Sequence, residues 1–126
     1  MTGVAKLFLT LGSISGALAV MLGAFGAHGL KDKLGEKMLA NWMTGVEYHF
    51  YHTFALLVVG MLALKFQSGP LSASGWSFAA GILIFSGSLY AMALTGITKL
   101  GAITPIGGLA FIAGWILLAV SVAKGS

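Results

Sequence analysis

From Val4 to His28 the chain carries a single formal charge, Lys6, in a stretch of Leu, Val, Ala, Ile and Gly. A run this long and this apolar leaves few folds open. Crossing a hydrocarbon core takes about 20 apolar residues in a helix. In lipid, every backbone polar group must be satisfied within the segment, which selects the helix over an open strand. The run exceeds the apolar core of a secretory signal, about 7–15 residues. It therefore reads as a retained span, despite Lys6 ahead of it and the small residues Ala24 and Ala27 near its end. Three more apolar runs follow, and the expected spans are 4–28, 42–64, 76–95 and 104–123.

Composition agrees with lipid as the solvent. Only 8% of the 126 residues are charged, against about 25% in soluble domains, and the mean hydropathy is +0.98. The expected fold class is all-α: one domain over residues 1–126, an integral membrane four-helix bundle with a short interfacial helix between helices one and two. That short helix is placed at residues 31–41. They hold Lys31, Asp32, Lys33, Glu36 and Lys37, with Leu34, Met38 and Leu39 as the apolar side. Gly35 in the middle weakens this helix.

The net charge is +4 and the pI about 9.6, but the seven lysines are scattered. They read as loop charges near lipid head groups, and nucleic acid is excluded as a partner. Lys6, Lys65 and Lys124 fall on one side of a four-span topology. Lys31, Lys33, Lys37 and Lys99 fall on the other. The two sides nearly balance, so the positive-inside rule sets no orientation. With no cysteine, disulfides, thiolate metal ligands and a cysteine nucleophile are excluded.

Local signals mark the helix ends. Gly29 suits a left-handed helix terminus. Lys65 to Gly75, with Gly69-Pro70 at its centre, reads as a loop. Thr104-Pro105 reads as an N-cap followed by a first helical proline. Small residues recur where helices could approach closely: Gly12, Gly16, Gly23, Gly87, Gly107, Gly108 and Gly114. The Gly12–Gly16 pair has the spacing of a helix-dimer face, but packing within one bundle is the preferred reading.

Polar residues collect at one end. Antiparallel helices bring the end of helix one, the start of helix two, the end of helix three and the start of helix four into one leaflet. That leaflet receives His28, Glu47, His49, His52 and Lys99, with Tyr48 near the interface and Tyr90 deeper. Trp42, Tyr48 and Tyr51 suit an interfacial aromatic belt, and Trp115 suits internal packing. Ionisable groups inside a span cost about 2.5–3.5 kcal/mol at a helix centre and usually face the bundle interior or water. On a helical wheel His49, His52, Tyr48 and Leu56 share a face, while Glu47 lies well around from both histidines and nearer Tyr51.

Four motifs in order, Gly23-Ala24-Phe25-Gly26-Ala27-His28-Gly29-Leu30, Tyr48-His49-Phe50-Tyr51-His52, Phe85-Ser86-Gly87-Ser88-Leu89-Tyr90 and Thr104-Pro105-Ile106-Gly107-Gly108, carry a resemblance. They resemble a widespread family of short bacterial inner-membrane proteins catalogued as a domain of unknown function, with small eukaryotic transmembrane relatives. The resemblance extends over nearly the whole chain. It implies a four-span membrane protein of the bacterial inner membrane, and it brings no activity, ligand or catalytic residue. Small multidrug exporters also have four helices, but their essential glutamate lies in the first helix, which here has no acid.

The expected function is a non-enzymatic structural, accessory or lipid- or protein-interaction role in the membrane. No GxSxG, no HExxH and no paired carboxylates suggest catalysis. The alternative is a channel or transporter for protons, ions or a small solute, using the polar cluster. No cofactor is expected. His28, His49 and His52 are the only candidate metal ligands, and two histidines on different helices the only candidate haem ligands. Membrane lipid is the expected partner, with a second copy or another membrane protein left open.

Overall fold

The computed structural model describes residues 2–125, and among these it is helical with no strand. Helix α1 runs Gly3–Ala24. It is started by the Thr2 hydroxyl, which accepts from the Ala5 N–H at 3.2 Å. It widens into a π turn over Phe25–Gly29. The widening falls where the Trp42 ring lies against Gly26, whose hydrogen leaves room that a Cβ, 2.5 Å from Trp42 Cδ1, would fill. Gly29 is not left-handed. Among the described residues only Gly96 and Gly125 have positive φ.

Helix α2 runs Glu36–Leu62 without a break. The expected separate helix at 31–41 does not form. Residues 31–34 make turns, Gly35 caps, and residues 36–41 are the first turns of α2. The physical reason lies in Leu34, Met38 and Leu39. They pack on the cluster of Leu30, Trp42, Val46 and Ala93, so the apolar side thought to rest on lipid is turned onto the rest of the chain. Glu36 in the first turn suits the positive end of the helix.

Helix α3 runs Gly69–Gly81, passes through a π turn over Ile82–Ser86, and continues as α4, Gly87–Thr95. It starts seven residues before Trp76, the expected first residue of this span, and Gly69-Pro70 is its first turn rather than a loop centre. Ser68 makes this possible by accepting from the Leu71 N–H at 3.2 Å, while Pro70 sits where no N–H is needed. Gly96, at φ 74°, ends α4 in the left-handed conformation. A 3₁₀ turn over Thr98–Ala102 leads to α5, Thr104–Lys124. Thr104 is the first helical residue rather than the N-cap. Its hydroxyl is held by Ser88 at 2.6 Å.

The helices alternate in direction, as shown by their close approaches. Gly12 faces Leu57 and Gly23 faces Val46 between α1 and α2, and Gly114 faces Phe78 between α5 and α3. Gly16 meets Thr53 at ordinary contact distance, so the Gly12–Gly16 pair serves packing inside the chain. Gly107 lies directly against the Phe85 backbone. Two expected packing glycines do not pack. A Cβ at Gly87 meets nothing within 4 Å, and one at Gly108 only grazes Phe85. Both border grooves instead of helix seams.

The main core joins Ala5 and Phe8 of α1, Ala55, Leu56 and Val59 of α2, Leu71 and Phe78 of α3, and Phe111 and Leu118 of α5. Outside it the surface is apolar: Leu83 is 76% and Phe54 62% exposed. Water would penalise such a continuous surface, and lipid does not. Three segments are long and apolar enough to cross a membrane: Gly3–Gly29, Gly69–Thr95 and Thr98–Lys124. Helix α2 has the same 27 residues, but its middle carries Glu47, His49 and His52.

Candidate functional site

His49 joins three helices. On α2, His49, His52, Thr53 and Leu56 follow helical spacing and all point inward. Opposite them on α1 stands Ser15, beside Gly16 and one turn from Gly12, where the missing side chains let the two backbones come close. His49 Nε2 lies 3.0 Å from Ser15 Oγ, and Ser15 Oγ lies 2.6 Å from Thr53 Oγ1. On the other side His49 Nδ1 lies 3.0 Å from the Tyr90 hydroxyl of α4. Hydroxyls and a neutral imidazole both donate and accept. Every member therefore has a partner whether the run donates from Tyr90 toward Thr53 or back again.

His52 is bonded differently. Its Nδ1–H donates to the Tyr48 carbonyl at 2.7 Å, and its Nε2 accepts from the Trp115 indole N–H of α5 at 3.1 Å. A carbonyl only accepts and an indole N–H only donates, so one neutral tautomer meets both. The ring stacks on Phe111, centroids 3.5 Å apart and planes 8° apart. Both histidines are 4% exposed. Trp115, expected only to pack, is a hydrogen-bond partner.

The remaining members of the expected cluster lie elsewhere. Glu47 is on the exposed face of α2, where its Oε1 accepts from the Tyr51 hydroxyl at 2.5 Å. His28 is exposed in the π turn that ends α1, and Lys99 is exposed in the 3₁₀ turn. The single polar end thus divides into the His49 run, the His52–Trp115 pair and the surface pair Glu47–Tyr51. Among the described residues no three His, Cys, Asp or Glu side chains gather as a metal would require. His28, His49 and His52 do not form a triad, because both ring nitrogens of each buried histidine are already engaged.

Several partners are invisible to a single-helix wheel. Trp42, expected in an interfacial belt, is buried and donates its indole N–H to the Leu22 carbonyl at 2.9 Å. Ser86, in the π turn, donates to the Gly45 carbonyl at 2.7 Å. Gly45 has no Cβ to obstruct this, and the Tyr90 ring lies against it. Among the described residues no buried side-chain N or O lacks a partner.

Two grooves flank α2. One, of ≈ 340 Å³, is bordered by Ile14, Ser15 and Leu18 of α1 together with His49, Leu83 and Tyr90. The other, of ≈ 530 Å³, lies between α2 and α5 and is bordered by Tyr48, Tyr51, His52, Phe85, Phe111 and Trp115. Each buried histidine therefore faces a different groove.

The profile of a family described as "Protein of unknown function (DUF423)" matches residues 22–108. The chain is 52% identical over 120 residues to the UPF0382 membrane protein YwdK of Bacillus subtilis, covering 94% of this chain and 98% of that protein. It is 47% identical over 119 residues to the UPF0382 membrane protein SH2409 of Staphylococcus haemolyticus, covering 94% and 97%. A UPF0382 membrane protein of Staphylococcus epidermidis is 46% identical over 119 residues, with the same coverage. No solved structure matches the chain.

Proposed function

This chain belongs to the DUF423 family of membrane proteins of unknown function, and from that premise we propose a multi-pass protein of the cell membrane whose four long helical segments all cross the bilayer and which acts without catalysis, through what its lipid-facing surface binds. The observation that carries this reading is the closed bonding of the interior. Ser15, His49, Thr53 and Tyr90 are bonded to one another, and both ring nitrogens of His52 are taken by Tyr48 and Trp115. An interior of this kind fixes helix register and leaves no group poised to attack or to ligate.

The same closure supports four spans. Helix α2 is as long as its neighbours, and its histidines and Thr53 are spent on contacts with α1, α4 and α5, so its polar content does not have to meet lipid. It also disfavours a relay through Glu47, which lies on a different face of α2 from both histidines. Proteoliposomes containing a pH-sensitive dye test the proposal. Proton leak under an imposed gradient is expected to equal that of protein-free vesicles. Rapid dissipation that Glu47→Gln abolishes would overturn it in favour of a channel or transporter.

A further inference from the structure

Glu47 is an exposed acid on a helix read as spanning the membrane, and Tyr51 is its hydrogen-bond partner among the described residues. It stands five residues into the expected 42–64 span, roughly 7.5 Å below its start at 1.5 Å per residue. A carboxylate at that depth in hydrocarbon is stabilised by a cation beside it. Its partner Tyr51 borders the ≈ 530 Å³ groove, which is lined by six ring side chains and by Gly108 and Ile112. The rings are in mutual contact: Tyr48 with Tyr51 at 5.5 Å, Tyr48 with Phe85 at 4.7 Å, and Phe85 with Phe111 at 5.3 Å between centroids. Tyr51 links the two features, since it borders the groove and its hydroxyl holds the carboxylate.

Aromatic rings attract cations through their quadrupole, most strongly when water is absent. Rings without an acid would suit any apolar molecule, and an acid without rings would suit a metal ion. We propose that this groove binds a lipid-soluble organic cation, such as a substituted ammonium or phosphonium, with its apolar groups against Tyr48, Phe85, Phe111 and Trp115 and its charge toward Glu47. Gly108 adds no side chain to the α5 wall of the groove. The volume falls within the range of about 300–1,000 Å³ that small-molecule sites occupy. The inference rests on the preceding reading only in placing α2 inside the bilayer, which labelling at the two ends of α2 tests separately.

The experiment is equilibrium dialysis of tetraphenylphosphonium against the full-length protein in lipid nanodiscs. Saturable binding is expected. Glu47→Gln is expected to weaken it by roughly tenfold or more, with Tyr51→Phe, which keeps the ring and loses the bond to Glu47, intermediate. Gly87→Ala, beside the other groove, is expected to leave it unchanged. Neutral triphenylmethane is expected not to compete. The proposal is overturned by absent saturable binding, by equal affinity in Glu47→Gln, or by effective competition from the neutral compound. It is also overturned if Ile112→Cys chains form disulfide dimers before the probe is added, because a second copy then fills the groove.

Discussion

Replacing Ser15 by Ala removes the hydroxyl that stands between His49 Nε2 and Thr53 Oγ1. A hydrogen bond between membrane helices is worth about 0.6 kcal/mol on average and up to about 1.7. Ser15→Ala loses two, so a destabilisation of about 1–3 kcal/mol is expected in a denaturant titration of the detergent-solubilised protein. The double variant Ser15→Ala with Thr53→Val is expected to cost less than the sum of the single changes, since the two hydroxyls share one bond. Part of this was legible in the sequence. The wheel separates Glu47 from the histidines and places it nearer Tyr51, but it does not identify Tyr51 as the partner that the structure shows. Ser15, Tyr90 and Trp115 were not assignable as partners, because they lie on other helices, 34, 41 and 63 residues away from the histidines they bond. Nothing local to α2 specifies which neighbour faces it.

At the scale of elements, glycines of one chemical kind do opposite work. Gly107→Ala would drive a methyl into the Phe85 backbone, whereas Gly87→Ala meets open space. Backbone cannot swing aside as a side chain can, and overpacking costs about 1–3 kcal/mol. A marked drop in melting temperature is therefore expected for Gly107→Ala. Gly87→Ala is expected to be neutral or to gain up to about 1 kcal/mol from helix propensity. Differential scanning fluorimetry of the two variants side by side checks this. Spacing alone cannot separate the two glycines, since a small residue marks a close approach only if a neighbour arrives. The same limit explains the helix ends. Ser68 caps α3, yet serine followed by Gly69-Pro70 also fits a loop, and only its bond to the Leu71 N–H decides. The interfacial helix at 31–41 was misplaced because Leu34, Met38 and Leu39 fit lipid and the Trp42 cluster equally well.

For the whole molecule, the apolar runs and sparse charge made an all-helical membrane protein legible from sequence, and the family match and helical structure agree. What hydropathy could not settle is α2, whose middle dilutes its apolar character with Glu47, Tyr48, His49, Tyr51 and His52. A passage of α2 through the bilayer would require the two histidines to be spent on α1, α4 and α5, as they are, and Glu47 to be paired at the surface with Tyr51. Because the chain contains no cysteine, single cysteines report position without interference. The most direct measurement places one at Gly35, just before α2, and one at Gln67, just after it, both in the short connections beside the helix. Each is labelled with a membrane-impermeant maleimide in intact cells and in inverted vesicles. If α2 spans, the two sites react from opposite sides. Labelling of both from the same side would mean that α2 does not cross, and the four-span arrangement would be wrong.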